Sequence, residues 1–146
     1  MLFKQIKIVF ALTGSFSSFE KTISQIKKIV EQGAEVIPVM SFNSYNINTK
    51  FGTAKSFIDK IEAITGKKVI NSIEEAETIG PKILADIMVI APCSGNTIGK
   101  IANGIADTPV LIAARSYLRN ENPLIVGIAT SDGLMRKCWK YRKIIK

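Results

Sequence analysis

Asp86-Ile87-Met88-Val89-Ile90-Ala91-Pro92-Cys93-Ser94-Gly95-Asn96-Thr97 sets the architecture of this chain. Residues 86 to 91 form a short, almost wholly apolar run of the kind buried on both faces of a parallel sheet. Pro92 is read as the end of that strand. The residues after it are small and polar, and a helix is expected from about Ile98 to Ala106. A strand, a polar turn and a helix N-terminus in that order leave amides and hydroxyls pointing outward. Partial positive charge collects there, so the expected guest is an anion such as a phosphate. In open α/β sheets the ligand crevice lies beyond the carboxyl ends of the strands, where this turn falls. A plain strand–helix connection that binds nothing is the alternative, since Ser, Asn and Thr cap helices generally.

The chain repeats this unit upstream and downstream. Ile6 to Leu12 reads as a buried strand ending in Thr13-Gly14-Ser15, and Ser17 with Glu20 has the spacing of a capping box. Phe19, Ile23, Ile26 and Val30 then share one helical face, and Gly33 stops the helix. The turn lacks Gly-x-Gly-x-x-Gly, so no dinucleotide fingerprint is present. Glu35 to Met40 is the second strand, and Pro38 within it implies an edge or a bulge. Ser41 to Phe51, with three asparagines and three aromatics, is read as a binding loop, a lid or a simple surface loop.

A second amphipathic helix is expected from Thr53 to Thr65, closed by Gly66, with Ala54, Phe57, Ile58, Ile61 and Ile64 inward. Lys68 to Asn71 suits a short edge strand, and Ser72 with Glu75 caps a short helix that Pro81 closes. Asp107-Thr108-Pro109 opens a helix reaching about Arg119. Leu124 to Ile128 is the last strand, followed by the small polar turn 129–133. The fold class is therefore α/β, a Rossmann-like three-layer sandwich with a mostly parallel sheet of five or so strands and one crevice.

Composition narrows the function. The 146 residues suit one domain, with 47% hydrophobic and 22% charged residues. No apolar run reaches the roughly 18 residues that cross a bilayer, and the start lacks a signal-peptide pattern. Two cysteines, Cys93 and Cys138, make no disulfide framework, so a reducing, cytoplasmic compartment is expected. The net charge of +8 owes six basic residues to 136–146, which leaves fourteen basic against twelve acidic residues before that segment. Basicity belongs to the tail, and nucleic acid is not the expected partner. The chain has no histidine, no Cys-x-x-Cys and no carboxylate cluster at metal-ligand spacing. Cys93 beside a helix start is either an activated nucleophile or a small packing residue. A phosphate-bearing cofactor suits this inventory, because it brings its own reactive atoms.

Ala91-Pro92-Cys93-Ser94-Gly95-Asn96-Thr97 resembles the Pro-Ala-Ser-Ala-Asn-Thr turn of the homo-oligomeric flavoproteins that include the cysteine decarboxylases. Further segments are Leu12-Thr-Gly-Ser15, Gly33-Ala-Glu-Val-Ile-Pro-Val39, Thr49-Lys-Phe-Gly52, Gly80-Pro-Lys82, Asp107-Thr-Pro-Val110 and Leu118-Arg-Asn120. Together they resemble the B-subunit family of dipicolinate synthases over residues 4 to 134. The resemblance implies a single flavoprotein domain over 1–134, with 135–146 as a basic tail. It implies FMN as cofactor, NADP(H) held by a partner A subunit, and a homo-oligomer. The reaction it implies is oxidation of a dihydrodipicolinate-type precursor to pyridine-2,6-dicarboxylate in the mother cell of a sporulating bacterium.

Carried onto this sequence, Gly14, Ser15, Ser41, Ser94 and Asn96 hold the flavin phosphate and ribityl chain, with Thr13 completing the first turn. Pro92, Cys93, Thr97, Ala129 and Thr130 lie near the ring or the ribityl chain. Lys100, Arg115 and Arg119 are candidates for contact with a dianionic substrate, or else plain surface charges. Two departures stand out. The decarboxylases' catalytic histidine is absent from Thr78 to Asp86, which excludes that route. Relatives continue past the last strand, whereas this chain ends in Leu134 to Lys146, so a shortened cover over the flavin is expected. A non-catalytic assembly subunit, or another decarboxylase- or prenyl-transfer-like enzyme of the same fold, are the alternatives.

Overall fold

A computed structural model describes residues 2–129. Four strands, β1 (Lys7–Leu12), β2 (Glu35–Met40), β3 (Ile87–Cys93) and β4 (Leu124–Ile128), form a parallel sheet in the order β2-β1-β3-β4. The described residues thus hold four strands rather than five or so, and every pairing is parallel. Helices α1 (Phe19–Glu31) and α3 (Ala54–Thr65) cover one face. On the other lie α4 (Ile73–Ala76), α5 (Gly95–Ala102) and α6 (Pro109–Arg119). This is the expected three-layer sandwich.

The layers follow from the two-residue period of the strands. Ile8, Phe10 and Leu12 of β1 enter the α1/α3 core with Phe19, Phe57 and Ile61. Val9 and Ala11 enter the opposite core with Ile98, Val110, Ala113 and Tyr117. Both layers are apolar, so the strand has no alternating pattern to show. Pro38 is accommodated because β2 is an edge strand. Its carbonyl accepts from Ile70 N–H at 2.9 Å, so its missing N–H would also have faced away from β1. The expected edge strand at 68–71 is a single bridge, Val39 to Ile70.

Several local expectations are corrected. β3 does not stop at Pro92. It runs to Cys93 through a cis Ala91-Pro92 bond, and its pairing with β4 shifts by one residue there. The next helix begins at Gly95 and ends at Ala102, earlier than the expected 98–106, because Ser94 is its cap. α1 is not opened by a Ser17–Glu20 capping box. A 3-10 turn over Phe16–Ser18 leads into it, and Ser18 makes no side-chain cap bond. The stretch 41–51 is no structureless loop. It holds the short helix α2 (Phe42–Asn46), capped by Ser41, and a tight turn bridged between Thr49 and Gly52. α4 is a single turn that ends before Pro81.

Other helix starts hold as read. Thr53, Ser72 and Thr108 accept hydrogen bonds from Ser56, Glu75 and Leu111 N–H, and Pro109 opens α6. Gly52 shows why the 49–52 turn needs glycine. Its φ is +149°, and a Cβ there would meet the buried Phe57 ring at 2.9 Å. Phe57 cannot retreat, since it packs edge-on against Phe19 at 5.0 Å. Gly52→Ala is therefore expected to lower the unfolding free energy by ~1–3 kcal/mol, measured by urea denaturation. An unchanged midpoint would show that the turn relaxes freely.

Candidate functional site

The chain moves left from β1 to β2 and right from β3 to β4, so the order reverses between β1 and β3. That switch point is where open α/β sheets bind ligands. The two turns leaving it, after Leu12 and after Cys93, are joined by Thr13, which is 1% exposed. Thr13 N–H and Oγ1 both donate to the Pro92 carbonyl, at 3.1 and 2.7 Å. Ser94 N–H in turn donates to Thr13 Oγ1 at 2.8 Å. The turn after β2 is tied in as well. Ser41 N–H and Ser44 Oγ each donate to the Leu12 carbonyl at 3.0 Å.

These ties leave a cavity of about 290 Å3, lined by Gly14, Ser41, Asn43, Ser94, Asn96, Thr97, Lys100, Asp107 and Thr108 with Phe42 and Leu111. The first intrahelical bond of α5 runs from Ile98 N–H to the Ser94 carbonyl, and Ser94 Oγ takes Thr97 N–H at 3.2 Å. The Asn96 amide sits in the helix's first turn, ahead of the ladder, beside its own carboxamide side chain. Thr108, the cap of the eleven-residue α6, opens on the same space. Hydroxyls, a carboxamide, two helix starts and a lysine paired with Asp107 line the cavity, and these donors fit a phosphate ester.

The sequence-derived site residues divide into groups. Gly14, Ser41, Ser94, Asn96 and Thr97 come together at the cavity. Thr13 lies beneath it, its hydroxyl spent between the two turns. Ser15 directly follows Gly14, and its N–H turns back to the Thr13 carbonyl at 2.8 Å. Ala129 N–H donates to the Cys93 carbonyl at 2.9 Å, which brings the end of β4 to the same edge. Thr130 lies outside the described residues, as does the tail 135–146. Pro92 and Cys93 are buried, and the Cys93 side chain joins the α5/α6 core.

Burial pushes the Cys93 thiol up to about 12 from an ordinary 9.0. Cys93 is fully buried in that core and does not line the cavity, which matches the packing reading rather than the nucleophile. The raised value also fixes the pH sign. The neutral thiol's contribution to stability is complete below pH 9.0 and is lost only as pH rises towards about 12. Iodoacetamide at pH 8 is expected to leave the Cys93 peptide unmodified in the native protein and to label it fully in urea, as read by mass spectrometry. Rapid native labelling would contradict the burial.

Of the three basic candidates, only Lys100 reaches the cavity. Arg115 and Arg119 are exposed further along α6 and line a larger groove of about 710 Å3 with Glu77 and Pro81. The sequence reading missed Asn43 on the cavity wall, Ser44 as the tie from the turn after β2 back to Leu12, and Asp107 on the cavity wall. Ser41-Phe-Asn-Ser44 carried a cap spacing that could have flagged the first two. Asp107 had registered only as part of a helix start. Among the described residues no group of His, Cys, Asp and Glu could hold a metal ion, and no helix is long and apolar enough to cross a membrane.

The family model described as Flavoprotein matches residues 3–142. The B subunit of dipicolinate synthase from Bacillus subtilis (strain 168) is 47% identical over 128 residues, which is 88% of this chain and 64% of that protein. The chain thus spans less than two thirds of that relative's length. The crystal structure of the dipicolinate synthase B subunit from Bacillus halodurans C superposes with a TM-score of 0.84 at 38% identity, covering 99% of this chain and 74% of that one. The FMN-dependent cysteine decarboxylase SpaF shares the fold, with a TM-score of 0.75 at 20% identity over 98% of this chain and 79% of its own.

Proposed function

The chain belongs to the flavoprotein family, and we propose that within it this protein is the FMN-binding subunit of a dipicolinate synthase. The observation that carries this reading is the cavity at the β1/β3 switch point, whose donors suit a phosphate ester, in a chain 47% identical to a dipicolinate synthase B subunit. When bound, the flavin supplies the hydride-accepting chemistry needed to aromatise a dihydrodipicolinate-type precursor to pyridine-2,6-dicarboxylate.

The chain's own residues bind and orient. Asn96 N–H and the α5 N-terminus attract the phosphate. Ser41, Ser94 and Gly14 border it, and Ser15 extends the first turn towards the ribityl chain. Thr97 and the backbone at Pro92, Cys93 and Ala129 flank the ribityl chain or ring. Thr13 fixes the spacing of the two turns. Lys100 and Asp107 are the titratable side chains on the cavity wall among the described residues, and they are paired with each other. No proton-shuttling histidine exists in the sequence. The chain therefore acts in this reading as a holder of the cofactor. A partner A subunit carries NADP(H), and copies of this chain assemble with one another, in the cytoplasm of a sporulating cell.

Titration of the purified chain with FMN and with riboflavin, followed by quenching of flavin fluorescence, tests the reading. Saturable FMN binding with riboflavin at least about tenfold weaker is expected, the scale of one charge-assisted contact. Equal, weak binding of both flavins would remove the phosphate seat and the function with it.

A further inference from the structure

Lys100 stands one helical turn after Asn96 on α5, so the two share a face. Helical side chains lean back towards the N-terminus, which sends the Lys100 stem in the direction of Asn96. Its ammonium meets both Asp107 oxygens at 3.0 Å. Lys100 is 26% exposed and Asp107 56%. A lysine ammonium has three donors, so this pairing leaves one for a ligand. Both residues line the cavity that also holds Ser41, Ser94, Asn96 and Thr97. A lysine that served only to fasten α5 to α6 would not need to do so on the wall of the anion cavity.

We propose that Lys100 is the side chain by which the site distinguishes a phosphate ester from its uncharged alcohol, with Asp107 positioning it. This rests on the flavin reading above and adds the residue that sets the ligand's charge preference. Lys100 donates its remaining hydrogen bond to the ligand phosphate, while Asp107 holds the ammonium in place and offsets part of its charge. Lys100 is thus a contact residue and Asp107 a positioning residue. Their replacement has opposite consequences for an anionic ligand, whereas a pair that merely braced two helices would respond alike at either end.

The test compares FMN and riboflavin dissociation constants for four proteins, with melting temperatures taken in parallel. Lys100→Met is expected to weaken FMN about tenfold or more, the scale of a charge-assisted hydrogen bond. Riboflavin binding should stay within about twofold on the same account, because it lacks the charge that is read. Lys100→Arg should recover most of the FMN affinity. Asp107→Asn keeps an acceptor for the ammonium and removes the opposing charge, so FMN should bind as well as before or tighter. An unchanged FMN-to-riboflavin ratio in Lys100→Met overturns the proposal. So does a loss of FMN affinity in Asp107→Asn that matches the lysine variant, or a Lys100→Met protein that fails to fold. A wild-type chain with no preference for FMN would bring down the function and this inference together. A wild-type preference that survives Lys100→Met would sink the inference alone.

Discussion

Asn96→Asp is expected to abolish FMN binding while leaving the protein folded. The substitution changes one amide nitrogen to oxygen and places a negative charge at the second position of α5, on the wall of the cavity. A carboxylate about 4 Å from a phosphate charge costs roughly 4 kcal/mol at the dielectric of a protein surface. That corresponds to a loss of about a thousandfold in affinity. The same carboxylate favours the helix, since a negative charge in a first turn contributes roughly 0.3–1 kcal/mol. The melting temperature of the ligand-free variant should therefore match or exceed that of the wild type. Riboflavin binding should change little, which separates charge repulsion from a damaged pocket. A variant that still takes FMN with wild-type affinity would place the phosphate somewhere other than the start of α5.

Thr13→Val is expected to have the largest combined effect on stability and binding. Valine keeps the shape and removes the hydroxyl. The Pro92 carbonyl would still accept from residue 13 N–H, but Ser94 N–H would lose its acceptor. Leaving this part-buried donor unpaired costs about 1 kcal/mol, the low end of the range for a donor sealed from water. For a domain of this size each kcal/mol lowers the melting temperature by about 2–8 °C, so the drop is easily read by calorimetry. The lost tie also frees the Ser94 turn from the Gly14 turn, and FMN affinity should fall with the stability. Thr13→Ser retains the hydroxyl and should recover most of both. If Thr13→Val and Thr13→Ser behave alike, the methyl group rather than the hydrogen bond is what matters at this position.

Much of the fold was legible because its signals are short-range. The caps at Ser72 and Thr108 each act on an amide three residues away, and were readable from Glu75 three residues on and from the adjacent Pro109, while Thr53 was legible as a helix start. The same spacing misled at Ser17 and Glu20. There the ring of Phe16 packs at 5.2 Å from Phe19, in a 3-10 turn ahead of the helix that the cap rule does not include. Pro92 misled for a related reason. A proline ends a strand when its missing N–H is needed for pairing, but here the strand passes through it with a one-residue slip against β4. The 41–51 stretch looked structureless because its one short helix is held by Ser44 reaching back to Leu12, 32 residues earlier.

Residue order alone was enough to set the succession of strands and helices, their buried faces, the family, and the three small polar turns where a ligand was to be sought. Those properties depend on side-chain periodicity and on neighbours within a turn of helix. Folding in three dimensions was needed to bring the turns after β1 and β3 together, through hydrogen bonds spanning 79 and 81 residues at Thr13. Packing likewise turned Cys93 into the core while Asn96 opens on the cavity, and carried Lys100 rather than Arg115 or Arg119 to the site with Asp107 beside it. Strand order and helix packing choose which distant groups become neighbours, and no local rule of spacing carries that information.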